Sequence, residues 1–243
     1  MTGLLVVVPV IMQSTADVCL NSMLAEGSSS GFTRDDVLVV DNSRDGFAEQ
    51  RYGLRTHRDP DGHNIGVARA WNVAAREVLD RGLDYLVICS ASMLWGPELH
   101  CTWRWQMNEF WGAKVIEADG HSHHLIAWHR SVFEKIGLWD GNFWPAYHEA
   151  TDFGTRMRLV GWEQGFTRCW VNALSTGVAA HAHLVACPAD PLLAYYESKW
   201  GGPKGEERWM QPFGTKPMDY WEDVPIPEMA ERYGYGPRYG GWW

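Results

Sequence analysis

The hydrophobic pattern opens with Leu4–Val10 (LLVVVPV), a continuous β-branched run of the kind that forms a strand covered on both faces of a sheet. Ser14-x-x-Asp17 follows as a capping-box start, then Cys19, Leu20, Met23 and Leu24 fall at helical spacing and Gly27 supplies a stop. Val37–Asp41 (VLVVD) is a second buried strand ending in an acid, so strand, helix and strand predict a parallel βαβ unit. Leu54–His57 reads as a short strand. A polar turn then leads to Asn64 and a helix reaching Leu79, with Val67, Ala70, Trp71, Ala74 and Val78 as its buried stripe.

Tyr85–Cys89 (YLVIC) is a further buried strand, ending in Ser90-Ala91-Ser92. Pro97 fits the first turn of a helix that carries Leu99, Trp103, Gln106, Met107 and Phe110 on one face, with Gly112 as its stop. Ala113–Ala118 and His123–Trp128 predict two antiparallel strands about an Asp119-Gly120 turn. Ser131-x-x-Glu134 is a capping box for a short helix ending at Gly137, and another strand falls near Phe166–Val171. From about Pro188 the chain turns rich in Pro, Gly, Tyr and Trp, with periodicity only over Leu192–Trp200. That stretch predicts a helix followed by an extended aromatic arm, lying against the body or a neighbouring subunit. The expected division is therefore a domain over residues 1–187 and an arm over 188–243.

Composition adds limits rather than a function. The 243 residues, 46% hydrophobic and 21% charged, are those of an ordinary globular chain, and a net charge of −9 argues against a broad nucleic-acid-binding face. Fifteen tryptophans are a large supply for stacking surfaces or for core. Five cysteines, odd in number and without C-x-x-C spacing, point to reduced thiols in a cytoplasmic protein. Leu4–Val10 is too short to span a bilayer and lacks a basic flank, so no transmembrane segment or secretion signal is expected.

Candidate chemistry gathers where strands end and helices begin. In open α/β sheets ligands sit beyond the carboxyl ends of the strands, which is where Asp41 and Asn42 fall. Gly66, at a helix entrance, lets a backbone or phosphate approach closely, and free N–H groups there suit an anion. Glu149 and Asp152 stand at the start of a helix that follows an irregular aromatic loop. From spacing alone each reads equally as a cap or as a reactive acid. His181 and His183 alternate onto one face of an expected strand end, which suits a metal or phosphate as well as it suits surface histidines.

Four blocks, in order, carry a resemblance: the first strand with Pro9; Val39-Val40-Asp41-Asn42-Ser43; Asn64-x-Gly66-x-Ala68-x-x-x-Asn72; and a last block built from Gly137, Trp139-Asp140, Phe143-Trp144, Glu149-Ala150-Thr151-Asp152 and Arg156. Together, over roughly residues 4–185, they resemble the family 2-type inverting glycosyltransferases of the GT-A fold, which use a nucleotide-diphosphate sugar. The resemblance implies a Rossmann-like α/β domain with a mixed, mainly parallel sheet flanked by helices. It implies donor contacts from Pro9, Asp41, Asn42, Asn64 and Gly66, and from Ser90 and Ser92 at the next strand end. It places acceptor contacts at Trp139, Asp140, Trp144 and His148, a base at Glu149 or Asp152, and a metal or diphosphate ligand at His181 or His183.

Two departures bear on that expectation. The family's metal-binding acids would end the strand at Tyr85–Cys89, where this chain has Ser90-Ala91-Ser92, and hydroxyls are poor ligands for Mn²⁺ or Mg²⁺. The acid often assigned as base aligns with Ala150. The alternatives to an active transferase of a small hydroxyl acceptor are therefore a catalytically retired nucleotide-sugar or glycan-binding protein, and a transferase acting on a protein or a modified DNA base. Association of copies through the C-terminal arm is a further expectation.

Overall fold

The computed structural model describes residues 3–98, 102–110, 112–118, 124–162, 166–169, 173–175 and 189–234. Its centre is a seven-stranded sheet of β1 (Leu4–Val10), β2 (Val37–Asp41), β3 (Arg55–His57), β4 (Tyr85–Cys89), β6 (Val115–Ala118), β7 (Leu125–His129) and β8 (Phe166–Cys169), in the order β3-β2-β1-β4-β7-β6-β8. The pairs β3–β2, β2–β1, β1–β4 and β6–β8 are parallel, and β7 runs antiparallel to both its neighbours. A second small sheet pairs β5 (Met93–Trp95) with β9 (Ala173–Ser175). The mixed, mainly parallel sheet expected from the sequence is the one present.

Strand pleating sorts the apolar runs onto two faces. Leu5, Val7, Leu38, Val40, Leu86 and Ile88 point to one core with helices α3 (Gly66–Asp80), α5 (Arg130–Ile136) and α6 (Glu149–Leu159). Leu4, Val6, Val8, Val37, Val39, Tyr85 and Val87 point to the other, covered by α1 (Gln13–Met23), α2 (Ala48–Tyr52) and α4 (Trp103–Glu109). Register brings the carboxyl ends of β1 and β2 level, with Val10 opposite Asp41.

Several local expectations are corrected. Met12, not Ser14, precedes α1 and no side chain caps it; Asp17 instead receives Arg51 Nε at 2.6 Å and the Tyr52 hydroxyl at 2.7 Å. α4 starts at Trp103 behind Thr102, whose hydroxyl accepts from the Trp105 N–H at 3.2 Å, so Pro97 lies outside it. β5 occupies an interval for which no element was expected. α5 is capped by His129, whose ring nitrogen accepts from the Ser131 N–H at 3.2 Å, and not by Ser131 itself. A histidine can serve as such an acceptor where its neutral nitrogen faces the helix start, which the capping-box pattern does not anticipate.

The chain after residue 188 is less extended than its composition suggested. α7 (Ala189–Trp200) and α8 (Ile226–Arg232) both pack on the body, and Leu192, Val224, Ile226, Met229, Ala230 and Tyr233 join the same core as α3 and α6. The 187/188 boundary itself falls outside the described residues.

Candidate active site

The loop between α5 and α6 is fixed from several directions. Gly137 ends α5 with φ 76°, and Trp139 then drops into the core, stacked on Phe153 at 4.4 Å between centroids. Asn72 of α3 grips its backbone twice, donating to the Trp139 carbonyl at 2.7 Å and accepting from its N–H at 2.9 Å. The Trp144 indole donates to the Asn64 carbonyl at 2.7 Å, and the Pro145 carbonyl accepts the Val67 N–H at 2.8 Å. Because α3 begins beyond the carboxyl end of β3, these bonds bring the loop and the start of α6 to that edge of the sheet.

Gly66 is what lets the two segments meet. It has φ 77°, and a Cβ there would stand 2.7 Å from Trp144 Cδ1 and 2.9 Å from the Pro145 carbonyl oxygen. Its close approach is to this loop. The N–H groups around the helix entrance are also engaged: Ile65 to Asn42 Oδ1 at 3.2 Å, Gly66 to Asn64 Oδ1 at 2.9 Å and Val67 to Pro145. Three N–H groups at this entrance are thus taken by the protein's own acceptors.

The remaining donor candidates stand around the same edge. Asp41 is 2% exposed, and its carboxylate accepts from the Ser43 N–H at 2.9 Å, the Ser43 hydroxyl, and the Ala48 N–H at 2.8 Å. It organises its own turn and the start of α2. The Asn42 N–H donates to Val10, and Pro9 sits half-buried beside Val40. At the end of β4 the Ser90 and Ser92 hydroxyls bond to each other at 2.8 Å. This hydroxyl pair, with no carboxylate in it, does not fit a hard divalent cation. A different group does offer such oxygens: Asp59, Asp61 and His63, on the turn before α3, have ligand atoms all within 4.8 Å of one another. Asp59 already accepts from the Asp61 and His63 N–H groups, each at 3.1 Å. His181 and His183 lie outside the described residues.

Asp152 and Asp140 belong to a buried ionic network. Asp152 is 0% exposed; one oxygen accepts from the Trp200 indole and Lys199 ammonium, both at 2.9 Å, and the other faces Arg156 at 2.9 Å. Lys199, itself 1% exposed, also reaches Asp140 at 2.7 Å, where the Tyr195 hydroxyl adds a bond of 2.9 Å. Arg156 donates onward to the Ile136 and Leu138 carbonyls at 2.8 and 2.7 Å. Burial opposes the charge on Asp152, but Lys199 and Arg156 outweigh it and hold the carboxyl below its ordinary range.

Glu149, three residues earlier, is in the opposite state. It is the first residue of α6 and 7% exposed, and its Oε2 has no hydrogen-bond partner among the described residues. Burial pushes its pKa up to about 7, only partly offset by its own N–H and that of Tyr147. A buried oxygen left without a partner costs free energy, which makes this carboxylate the group at the site whose chemistry is unspent.

The other acceptor candidates divide by depth. Trp139 and Trp144 are each 1% exposed and Asp140 0%, so all three serve the interior. Only the end of the loop reaches the surface, with Tyr147 47% exposed and His148 half-buried; both hold left-handed backbone, φ 80° and 65°. Burial lowers the pKa of His148. Sequence reasoning missed Lys199 and Tyr147. A lone lysine next to Trp200 on the helix that carries Leu192 and Tyr196 was the available signal for the first, and nothing local marked the second.

This sheet order, with its reversed strand β7, is the GT-A fold. Among solved structures, the mannosyltransferase PcManGT of Pyrobaculum calidifontis, in complex with GDP-Man and Mn²⁺, is similar at TM-score 0.51 and 17% identity over 69% of this chain and 55% of that one. TarS of S. aureus (residues 1–349) is similar at TM-score 0.51 and 12% identity, over 72% of this chain and 60% of that one. At such identities the likeness shows the fold alone, and this chain spans little more than half the length of either neighbour. No protein-family model matches the chain. No curated protein matches it in sequence.

Proposed function

We propose that this chain is a nucleotide-sugar-dependent glycosyltransferase that acts with inversion on a hydroxyl acceptor, and that Glu149 is its base. The observation that carries the reading is the enclosed carboxylate of Glu149, whose Oε2 has no hydrogen-bond partner among the described residues, at the start of α6 on a GT-A sheet. A general base works best with a pKa near the working pH, which burial gives Glu149 and ion pairing denies to Asp152. In the single displacement, the acceptor hydroxyl oxygen bonds to the anomeric carbon and its proton passes to Glu149. The bond from that carbon to the leaving oxygen breaks, and the nucleoside diphosphate departs with the electron pair. Asp152 acts at a distance, as the anchor that fixes α6 against Lys199, Trp200 and Arg156. The Ser90-Ala91-Ser92 turn does not suit a divalent cation, and no step here runs through one.

A second reading, a non-catalytic nucleotide-sugar or glycan-binding protein, is favoured by one feature: Asp41, the Ser90–Ser92 hydroxyls and the α3 entrance all spend their polar groups within the protein. Thermal-shift screening with UDP- and GDP-sugars, GDP-mannose among them, followed by measurement of nucleoside diphosphate release separates the two. Release that Glu149→Gln abolishes, with donor binding intact, supports the transferase. Binding without any turnover supports the second reading, and full-rate turnover by Glu149→Gln overturns the base assignment.

A further inference from the structure

The geometry points to Tyr147 as the platform on which the acceptor stacks, and to a neutral sugar ring as the acceptor it takes. This rests on the transferase reading and on Glu149 as its base. Tyr147 is 47% exposed, among the largest exposures of any apolar or aromatic side chain of the described residues, and it stands two residues before Glu149. Its N–H donates to the Glu149 carboxylate, so the residue that carries the ring also orients the base. An exposed aromatic side chain two residues before the reacting acid offers what a sugar needs, an apolar surface for its C–H face close in the chain to an acceptor for its hydroxyl.

The position is built rather than incidental. Tyr147 and His148 hold φ 80° and 65°, conformations that side chains other than glycine rarely adopt. The loop before them is fastened by Trp144 to the Asn64 carbonyl at 2.7 Å, by Val67 to Pro145 at 2.8 Å, and by the contact of Gly66 with both residues. His148 is packed between Phe143 and Tyr196, with ring centroids at 6.5 and 6.3 Å, and fixes the other side. Tyr147 is therefore presented outward by a backbone that cannot easily turn it away.

Charge selects among rings that stack. As a base Glu149 is an anion, so an acceptor whose phosphate would lie against it is repelled where an uncharged sugar is not. A nucleic-acid acceptor is the contrary outcome. Tyr147 takes no part in bond making; its role is acceptor binding.

The test compares Tyr147→Gly, which removes the ring yet suits φ 80°, with Tyr147→Trp, which keeps a stacking face. The probes are methyl α- and β-glycosides of glucose, galactose and mannose, a nucleoside and a short oligonucleotide, each with the donor that wild type consumes. Tyr147→Gly is expected to raise the acceptor KM for a methyl glycoside about 3- to 10-fold while leaving the donor KM in place. Tyr147→Trp is expected to restore it. An acceptor KM unchanged in Tyr147→Gly overturns the platform, and transfer to the nucleoside or oligonucleotide but to no methyl glycoside overturns the neutral-sugar assignment. Wild-type protein that releases nucleoside diphosphate yet glycosylates no methyl glycoside overturns the inference alone. Wild-type protein that consumes no donor removes the transferase reading along with it.

Discussion

Glu149→Gln should make the protein more stable and inactive at once, and the stability gain should depend on pH in a defined sense. In wild type, burial pushes the Glu149 carboxyl up to about 7 in the folded chain, against an ordinary value of 4.5. Because the folded pKa is raised, the folded state binds more protons between these values, and stability is full below the unfolded pKa and lost as pH rises through about 7. The difference amounts to about 3 kcal/mol at pH 8. Glutamine is close to isosteric with the protonated acid and carries no charge. At pH 4 the two proteins should therefore melt together, and by pH 8 the variant should melt roughly 6–12 °C higher, given about 2–4 °C per kcal/mol for a chain of this size. Differential scanning fluorimetry across pH 4–9, in steps of about half a unit, reads this directly. Transfer should fall about 10²- to 10⁴-fold in the same variant, and the wild-type rate should climb with pH through about 7, because the base must be ionised. A Tm difference that does not change with pH would refute the reasoning, since it would mean that the carboxylate is not desolvated in the folded state.

Lys199→Met removes the cation shared by Asp140 and Asp152; breaking a buried pair costs about 3–5 kcal/mol, so Tm should drop by roughly 6–20 °C. The drop should ease at acidic pH, where an uncompensated carboxyl takes up a proton, and an unchanged Tm would show that the network does not hold α7. Gly66→Ala should lower stability by about 1–3 kcal/mol in urea denaturation, because the methyl meets Trp144 and Pro145 and the backbone is left-handed. An unaltered midpoint would mean that the α6 loop does not rest on α3. Activity should survive EDTA, because the Ser90–Ser92 hydroxyls are poor ligands. Loss on chelation with recovery in Mn²⁺ would direct attention to Asp59, Asp61 and His63, where Asp61→Asn should then abolish the recovery.

The sheet was legible because its strands are short, uniformly apolar runs. β1, β2 and β4 fall where Leu4–Val10, Val37–Asp41 and Tyr85–Cys89 were read, residue for residue. Helix starts were read less well, because the capping-box pattern scores only Ser and Thr spaced from an acid. The structure gives α5 a histidine cap and leaves α1 without a side-chain cap, while Asp17 turns to Arg51 and Tyr52, distant in sequence. The second helix after residue 188 went unread for a related reason. Val224, Ile226, Met229 and Tyr233 reach the core from a stretch broken by prolines, so no periodic window was long enough to reveal α8, which holds Ile226 and Met229.

The site divides along the same line. Glu149 and Asp152 share a helix start, and local spacing assigns them the same two roles. What separates them is Lys199 and Trp200, 47 and 48 residues beyond Asp152, which reach only the second acid. A residue's charge state is set by partners that the fold chooses, and no window around residue 150 contains them. The same geometry bears on the alanine at position 150. Successive helical residues diverge by about 100° around the axis, so Glu149 does not simply replace a base at the next position. Helical side chains lean toward the N-terminus, which sends Glu149, at the first helical position, back over the turn that carries Tyr147. If Glu149 is the base, the acceptor approaches from the start of α6 and not along its flank. The platform and the base are then two consequences of one displacement by a single residue.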